Sequence, residues 1–206
     1  LGPTVMGVWV ILSLIPVYAE SFGRLKFDSA AVYYLGQGNY SEKAVERTLN
    51  SIALIVSLII GIPLLLFSPN LCRYMFGGSL EELFFVRLMI LQIPFTFLYM
   101  NYCYLIIFKE NTKVYNQMTI IKALVGSLGA LFLIFIFDLQ LEGIVYASVL
   151  SVFLSFLFGY FRSDIAKEKG LSLLNFAMIR DFRSFSMKMY LAGIVGNFNV
   201  YIIRTM

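Results

Sequence analysis

Residues 48–72 read TLNSIALIVSLIIGIPLLLFSPNLC, a stretch with no Asp, Glu, Lys or Arg. About twenty apolar residues in helical form span the hydrocarbon core of a bilayer. The stretch is apolar on every helical face, whereas a helix of a water-soluble domain keeps one polar face. Working outward from it, residues 2–19, 88–108, 143–161 and 189–203 are also free of charge, and 114–137 carries only Lys122. The pattern predicts an all-α fold, a polytopic bundle of about six membrane-spanning helices.

Composition agrees with this reading. The 206 residues are 60% hydrophobic and 14% charged, with a mean hydropathy of +0.82. A soluble domain lies nearer half apolar and about a quarter charged. The net charge of +4 is dispersed among loops, so it does not suggest a nucleic-acid partner. Histidine is absent and Cys72 lies far from Cys103 in sequence, which leaves no His/Cys metal cluster and no histidine acid–base pair. There is no P-loop, dinucleotide fingerprint or nucleophile elbow. We therefore expect a protein that is not an enzyme, with no catalytic residues, no metal and no cofactor beyond a possible coupling ion, H+ or Na+. The Leu1-Gly2-Pro3 turn at one end and the apolar run up to Met206 at the other suggest an internal piece of a longer chain.

The first span is expected from Val5 to about Phe22, continuing less hydrophobically through Gly23-Arg24-Leu25-Lys26-Phe27-Asp28 to Leu35. Pro16 and Gly23 are natural places for it to bend. Ser41 is a helix N-cap with acidic residues in the turn after it, and this second helix runs to Phe67 with a kink near Pro63. Ser68–Glu82 reads as a loop. Leu83–Phe108, Tyr115–Phe137 and Ile144–Phe161 are the next spans, followed by a polar segment, Arg162–Arg183. The sixth span starts near Ser184. Residues 1–183 then form one lobe ending in the loop 162–183, and 184–206 open a second lobe.

Basic residues fix the expected orientation. Lys43, Arg47, Lys109, Lys113, Arg162, Lys167, Lys169, Arg180 and Arg183 fall in alternate gaps, against Arg73 alone in the others. Loops rich in Lys and Arg stay in the cytoplasm, so Gly2-Pro3 faces outside and 162–183 faces inside.

Charges that interrupt apolar spans are costly and usually face a bundle interior or a water-filled cavity. Glu20 and Arg24, and then Arg24 and Asp28, are spaced i,i+4 and share a face if the helix continues. Lys26 points about 200° away from Arg24 in an unbroken helix. Glu20, Arg24, Lys26 and Asp28 are either a polar lumen with balanced charge or an interfacial turn with surface ion pairs. Lys122 either faces the lumen or snorkels to headgroups. Asn197 and Arg204, seven apart, share a face that lines a cavity or makes interhelical hydrogen bonds. Gln92, Asn101 and Cys103 read as packing residues, Arg87 as interfacial. Gly126-Ser127-Leu128-Gly129 and Gly193-Ile194-Val195-Gly196 offer small faces for close helix approach.

Three stretches carry a family likeness. Leu1-Gly2-Pro3-Thr4-Val5-Met6-Gly7-Val8-Trp9 resembles the segment before the second helix of bacterial polysaccharide flippases, the Wzx family of the multidrug/oligosaccharidyl-lipid/polysaccharide exporter superfamily. Asp138–Ala147 resembles that family's approach to its sixth helix, and Ser184–Arg204 the start of its second half. The resemblance implies helices two to seven of a two-lobed, alternating-access transporter in the bacterial cytoplasmic membrane. It implies a polyprenyl-pyrophosphate-linked oligosaccharide as substrate, carried for O-antigen, capsule or exopolysaccharide synthesis. Membrane lipids and a polysaccharide polymerase are the implied partners. Arg and Lys in the lumen suit a diphosphate. The chain departs from the family pattern at Gly23–Phe27 and at Ile202-Ile203-Arg204, where the family has an acidic residue. Two rival readings are a drug/cation antiporter or lipid II flippase of the same superfamily, and a membrane-embedded polymerase or acyltransferase. The antiporter would need several carboxylates in one span, and the enzyme would need His or paired carboxylates facing a large outer loop.

Overall fold

A computed structural model describes residues 2–162 and 176–205, with side chains described as far as 192 apart from Pro3. Eight helices follow one another: α1 Pro3–Gly23, α2 Phe27–Gly36, α3 Glu42–Leu66, α4 Ser68–Met75, α5 Leu83–Phe108, α6 Thr112–Phe137, α7 Leu141–Arg162 and α8 Phe176–Thr205. Among the described residues there is no strand, as expected of an all-α bundle. Five helices are long and apolar enough to cross a membrane: α3, α5, α6, α7, and α1 from Thr4. The sixth expected span lies on α8, which continues past the described side chains.

Local sequence explains the ends of the helices. Ser41 Oγ accepts the Ala44 amide at 3.4 Å and Asn111 Oδ1 the Val114 amide at 3.3 Å, each capping the helix that follows. Pro3 and Pro69 stand in the first turns of α1 and α4, where a missing N–H is harmless. The segment 68–82, expected as a loop, instead opens with the two-turn helix α4. Gly77 and Gly78, at φ +61° and +101°, turn the chain back after it.

α5 is the axis of the bundle. It packs against α1, α2, α3, α4, α6 and α7, and half of its apolar window is buried, whereas no residue of the α6 window is. The outward-facing α6 has a mean hydropathy of 2.4, and the central α5 only 1.8. A helix surrounded by other helices can spend polar groups on them, while one facing lipid cannot. The outer faces carry bare apolar side chains such as Ile59 and Phe135, 65% and 81% exposed. Such surface is unstable in water and at home in lipid. α6 and α7 approach closely through small residues, where a Cβ on Gly126 would stand 3.6 Å from Ser151 Cβ and one on Gly129 3.5 Å from Ala147 Cβ. This is the role expected of Gly126-Ser127-Leu128-Gly129. The second small stretch, Gly193–Gly196, lies outside the described side chains.

The first and last helices differ from expectation. The long bent helix to Leu35 is in fact two helices, because Leu25 (φ 45°) and Lys26 (φ 60°) adopt the left-handed conformation. The sixth helix starts at Phe176, eight residues before Ser184, and most of its first turns pack on α2. The cause is aromatic: Tyr34 stacks on Phe182 at 5.6 Å and Tyr33 on Phe185 at 4.4 Å between ring centres. The rest of the expected loop, 163–175, lies outside the described residues.

Tyr40 fastens this contact, its hydroxyl donating to Asp181 Oδ2 at 2.6 Å. That hydrogen bond, then partial burial and the carboxylate's charge, push the Tyr40 phenol above its ordinary value near 10. A group with a raised folded pKa stabilises below its unfolded pKa and loses that contribution as pH rises through the folded value. We therefore expect Tyr40→Phe to loosen α8 equally at every pH from 6 to 9. In an ultraviolet phenolate titration, one transition above about pH 10 should vanish in the variant; an unchanged titration would contradict the contact.

Candidate functional site

The break between α1 and α2 creates the most polar place in the bundle. Gly23 is the last residue of α1, and a residue without a Cβ fits there: a Cβ would lie 2.5 Å from Ile60 Cδ1 and 2.8 Å from Phe97 Cζ. Arg24 is the C-cap residue of α1, and Asp28 sits in the first turn of α2. A cation at a helix C-terminus and an anion at an N-terminus both oppose the local helix dipole favourably. Arg24 holds Glu20 at 3.4 Å and Asp28 at 3.7 Å, and stands 5.0 Å over the ring of Tyr104. Asp28 is 4% exposed and the Arg24 side chain 11%, so this is a buried ion pair and not a surface turn.

The i,i+4 pairing expected of Glu20, Arg24 and Asp28 is present although the helix does not continue. The chain advances through two left-handed residues and resumes as α2, which returns Asp28 to Arg24. Lys26 differs from expectation for the same reason. With the helix broken it does not point away from Arg24 but lines the same hollow, about 180 Å³, with Glu20, Asp28, Tyr104 and Tyr190.

A second hollow of about 420 Å³ opens between α1 and α6 over α5 and α7, lined by Trp9, Tyr99, Lys122, Ser148 and Ser151 among others. Lys122 Nζ stands 4.5 Å over the Tyr99 ring, a cation–π contact and not the extended pose of a snorkelling lysine. Tyr99 and Cys103 share a face of α5 at i,i+4, and Cys103 is close enough to feel Lys122 from one hollow and Arg24 and Glu20 from the other. The structure thus brings Glu20, Arg24, Lys26 and Asp28 together in one hollow and places Lys122 in the other. Asn197 and Arg204 lie outside the described side chains. Among the described residues no ion pair involves Lys26 or Lys122, so two cations face the hollows without a carboxylate partner.

Several contributors escaped the sequence reading. Trp9, Tyr99, Tyr104 and Tyr190 supply aromatic faces, and Ser148 and Ser151 hydroxyls. The one signal for them was three tyrosines, at 99, 102 and 104, inside an otherwise apolar span. A buried Glu46 was also missed, because its turn reads as a solvated helix start. It is 5% exposed and accepts the Tyr102 hydroxyl at 2.6 Å. Asn101 and Gln92 are buried as packing residues should be, but Asn101 also hydrogen-bonds α3 through Leu49 O at 3.1 Å. Gln92 Oε1 is buried without a hydrogen bond. Arg87 is exposed and donates to Ser68 Oγ at 3.1 Å. Among the described residues no three His, Cys, Asp or Glu side chains come together as a metal site.

Fold and site define a multi-pass membrane protein with a polar cleft among its helices. No family model, curated protein or solved structure matches the chain.

Proposed function

We propose that the chain belongs to an alternating-access transporter of the bacterial cytoplasmic membrane. Its cargo is a polyprenyl-pyrophosphate-linked oligosaccharide, flipped from the inner to the outer leaflet for polysaccharide synthesis. The observation that carries this reading is that Lys26 and Lys122, which form no ion pair among the described residues, line hollows in a bundle otherwise poor in charge. A diphosphate is attracted by ammonium groups far more strongly in a low-dielectric cleft than in water. The mixed surface of a sugar fits aromatic faces and hydroxyls such as those of Trp9, Tyr99, Ser148 and Ser151. A cation antiporter would need a carboxylate free to take the ion, and both carboxylates of the site, Glu20 and Asp28, are within 4 Å of Arg24.

Lys26→Ala combined with Lys122→Ala leaves the buried Arg24 pair untouched. In the intact protein we expect the double variant to insert normally and to cut export about tenfold or more. That corresponds to the ~1.5 kcal/mol or more carried by a hydrogen bond to a charged group. Arginine at both positions should restore much of it. Export at the parental rate with both lysines gone would overturn the reading.

A further inference from the structure

We propose that Glu46 is a proton-binding site, wired to the break between α1 and α2 by a chain of side chains and one water. Glu46 is buried in the second turn of α3. The Tyr102 hydroxyl donates to its Oε1 at 2.6 Å, and Asn50 Nδ2 donates to the Tyr102 oxygen at 3.2 Å. Asn101 Nδ2 in turn donates to Asn50 Oδ1 at 3.3 Å. Every donor in this chain points toward Glu46, so the carboxylate is its terminal acceptor.

The far end, Asn101, lines a small cavity of about 20 Å³ together with Arg24 and Asp28. That is enough for one water, which needs about 10–15 Å³ and two or more polar partners. The partners are present. Arg24 Nη2 is buried without a hydrogen bond, standing 3.7 Å from Asp28, and the Asn101 amide and the Asp28 carboxylate complete the set. The remaining walls, such as Phe27, Ile52 and Phe97, are apolar. A water there accepts from Arg24 and donates to an oxygen of Asn101 or Asp28, making the two polar clusters continuous across α2, α3 and α5.

The ligand of Glu46 is a proton and not a metal cation because of what surrounds it. Lys43 and Arg47 on α3 and Lys109 just after α5, itself paired with Glu42, act on it electrostatically, and Tyr102 presents a hydrogen to it. Tyr160 of α7 stands edge-on to Tyr102 at 6.2 Å. The three basic groups oppose a divalent cation more strongly than a proton, which needs no coordination sphere. Burial at 5% exposure makes the bare charge costly, so a proton from the solvent converts the carboxylate to a carboxylic acid. Glu46 then gains a donor and keeps only a neutral carbonyl oxygen for Tyr102, so the charge-assisted hydrogen bond weakens and the amides of Asn50 and Asn101 adjust behind it. That rearrangement ends at the water beneath Arg24. Buried polar chains are sensitive to such a change because an unpaired group costs more than a paired one returns. The inference does not depend on the identity of the cargo.

The test is pH-difference infrared spectroscopy of the full chain in lipid nanodiscs. A protonated-carboxyl band is expected in the wild type, lost in Glu46→Gln and retained in Glu42→Gln. Asp28→Asn should move the midpoint of that band, and Asn101→Leu should abolish the effect of Asp28→Asn. A band that survives Glu46→Gln, or a shift of the same size in the Asn101→Leu background, overturns the proposal. Tyr102→Phe provides an independent reading should Glu46→Gln fail to insert: the band must change frequency when its hydrogen-bond donor is removed, and an unchanged frequency overturns the site.

Discussion

Replacing Arg24 with alanine is expected to be the most damaging single change in the chain. The variant leaves Asp28, 4% exposed, buried without its cation. Removing one partner of a buried pair costs about 3–5 kcal/mol, more than the pair itself contributes, because the other charge stays desolvated. The N-terminus of α2 relieves only part of this, since a helix dipole is worth about 0.3–1 kcal/mol. The companion double variant, Arg24→Ala with Asp28→Asn, removes the orphaned charge and should be more stable than Arg24→Ala alone. Thermal unfolding in nanodiscs and the steady-state level in the membrane measure both. Equal stability of Arg24→Ala and the parent would show that the pair is solvated, and the account of the break would fall.

Gly23→Ala is expected to be the second most damaging, and for a steric reason. In an ordinary helix this exchange helps by about 1 kcal/mol. Here the added methyl meets Ile60 Cδ1 and the Phe97 ring at 2.5 and 2.8 Å. Phe97 is 1% exposed, so its ring has nowhere to go, and overpacking of this kind costs about 1–3 kcal/mol. Adding Phe97→Leu makes room. The methyl should then cost clearly less than it does beside Phe97, a coupling that a double-mutant cycle on unfolding reads directly. Additive effects would mean that α1 and α5 are not in close contact at this point.

The two arguments mark what the sequence could reveal. Charge-free runs locate the spans because lipid accepts no other helix, and nothing in the fold alters that result. Pairing at i,i+4 named Glu20, Arg24 and Asp28, since short-range spacing survives even a local break. A bend at Gly23 was legible, but the left-handed geometry that splits the helix there was not. Leucine and lysine are poor candidates for the left-handed conformation that they adopt here. Lys26 was misdirected by the same event. Glu46, Asn50 and Tyr102 escaped because their burial depends on α5 lying across α3, a packing fact that periodicity cannot express. α4 was overlooked as a loop because two turns are too short to show a hydrophobic period.

One hydrogen bond at the break has a mechanical meaning. Ser186 of α8, buried at 1% exposure, donates its hydroxyl to the carbonyl oxygen of Lys26 at 3.3 Å. The same carbonyl accepts the Ala30 amide that starts α2. α8 therefore braces the left-handed joint from outside the α1–α2 strand of the bundle. Two non-glycine residues held at positive φ store about 1–2 kcal/mol each, and this brace is among the contacts that keep them there. Losing this hydrogen bond would remove one of the contacts that hold Lys26 at positive φ, two residues from the arginine of the buried ion pair.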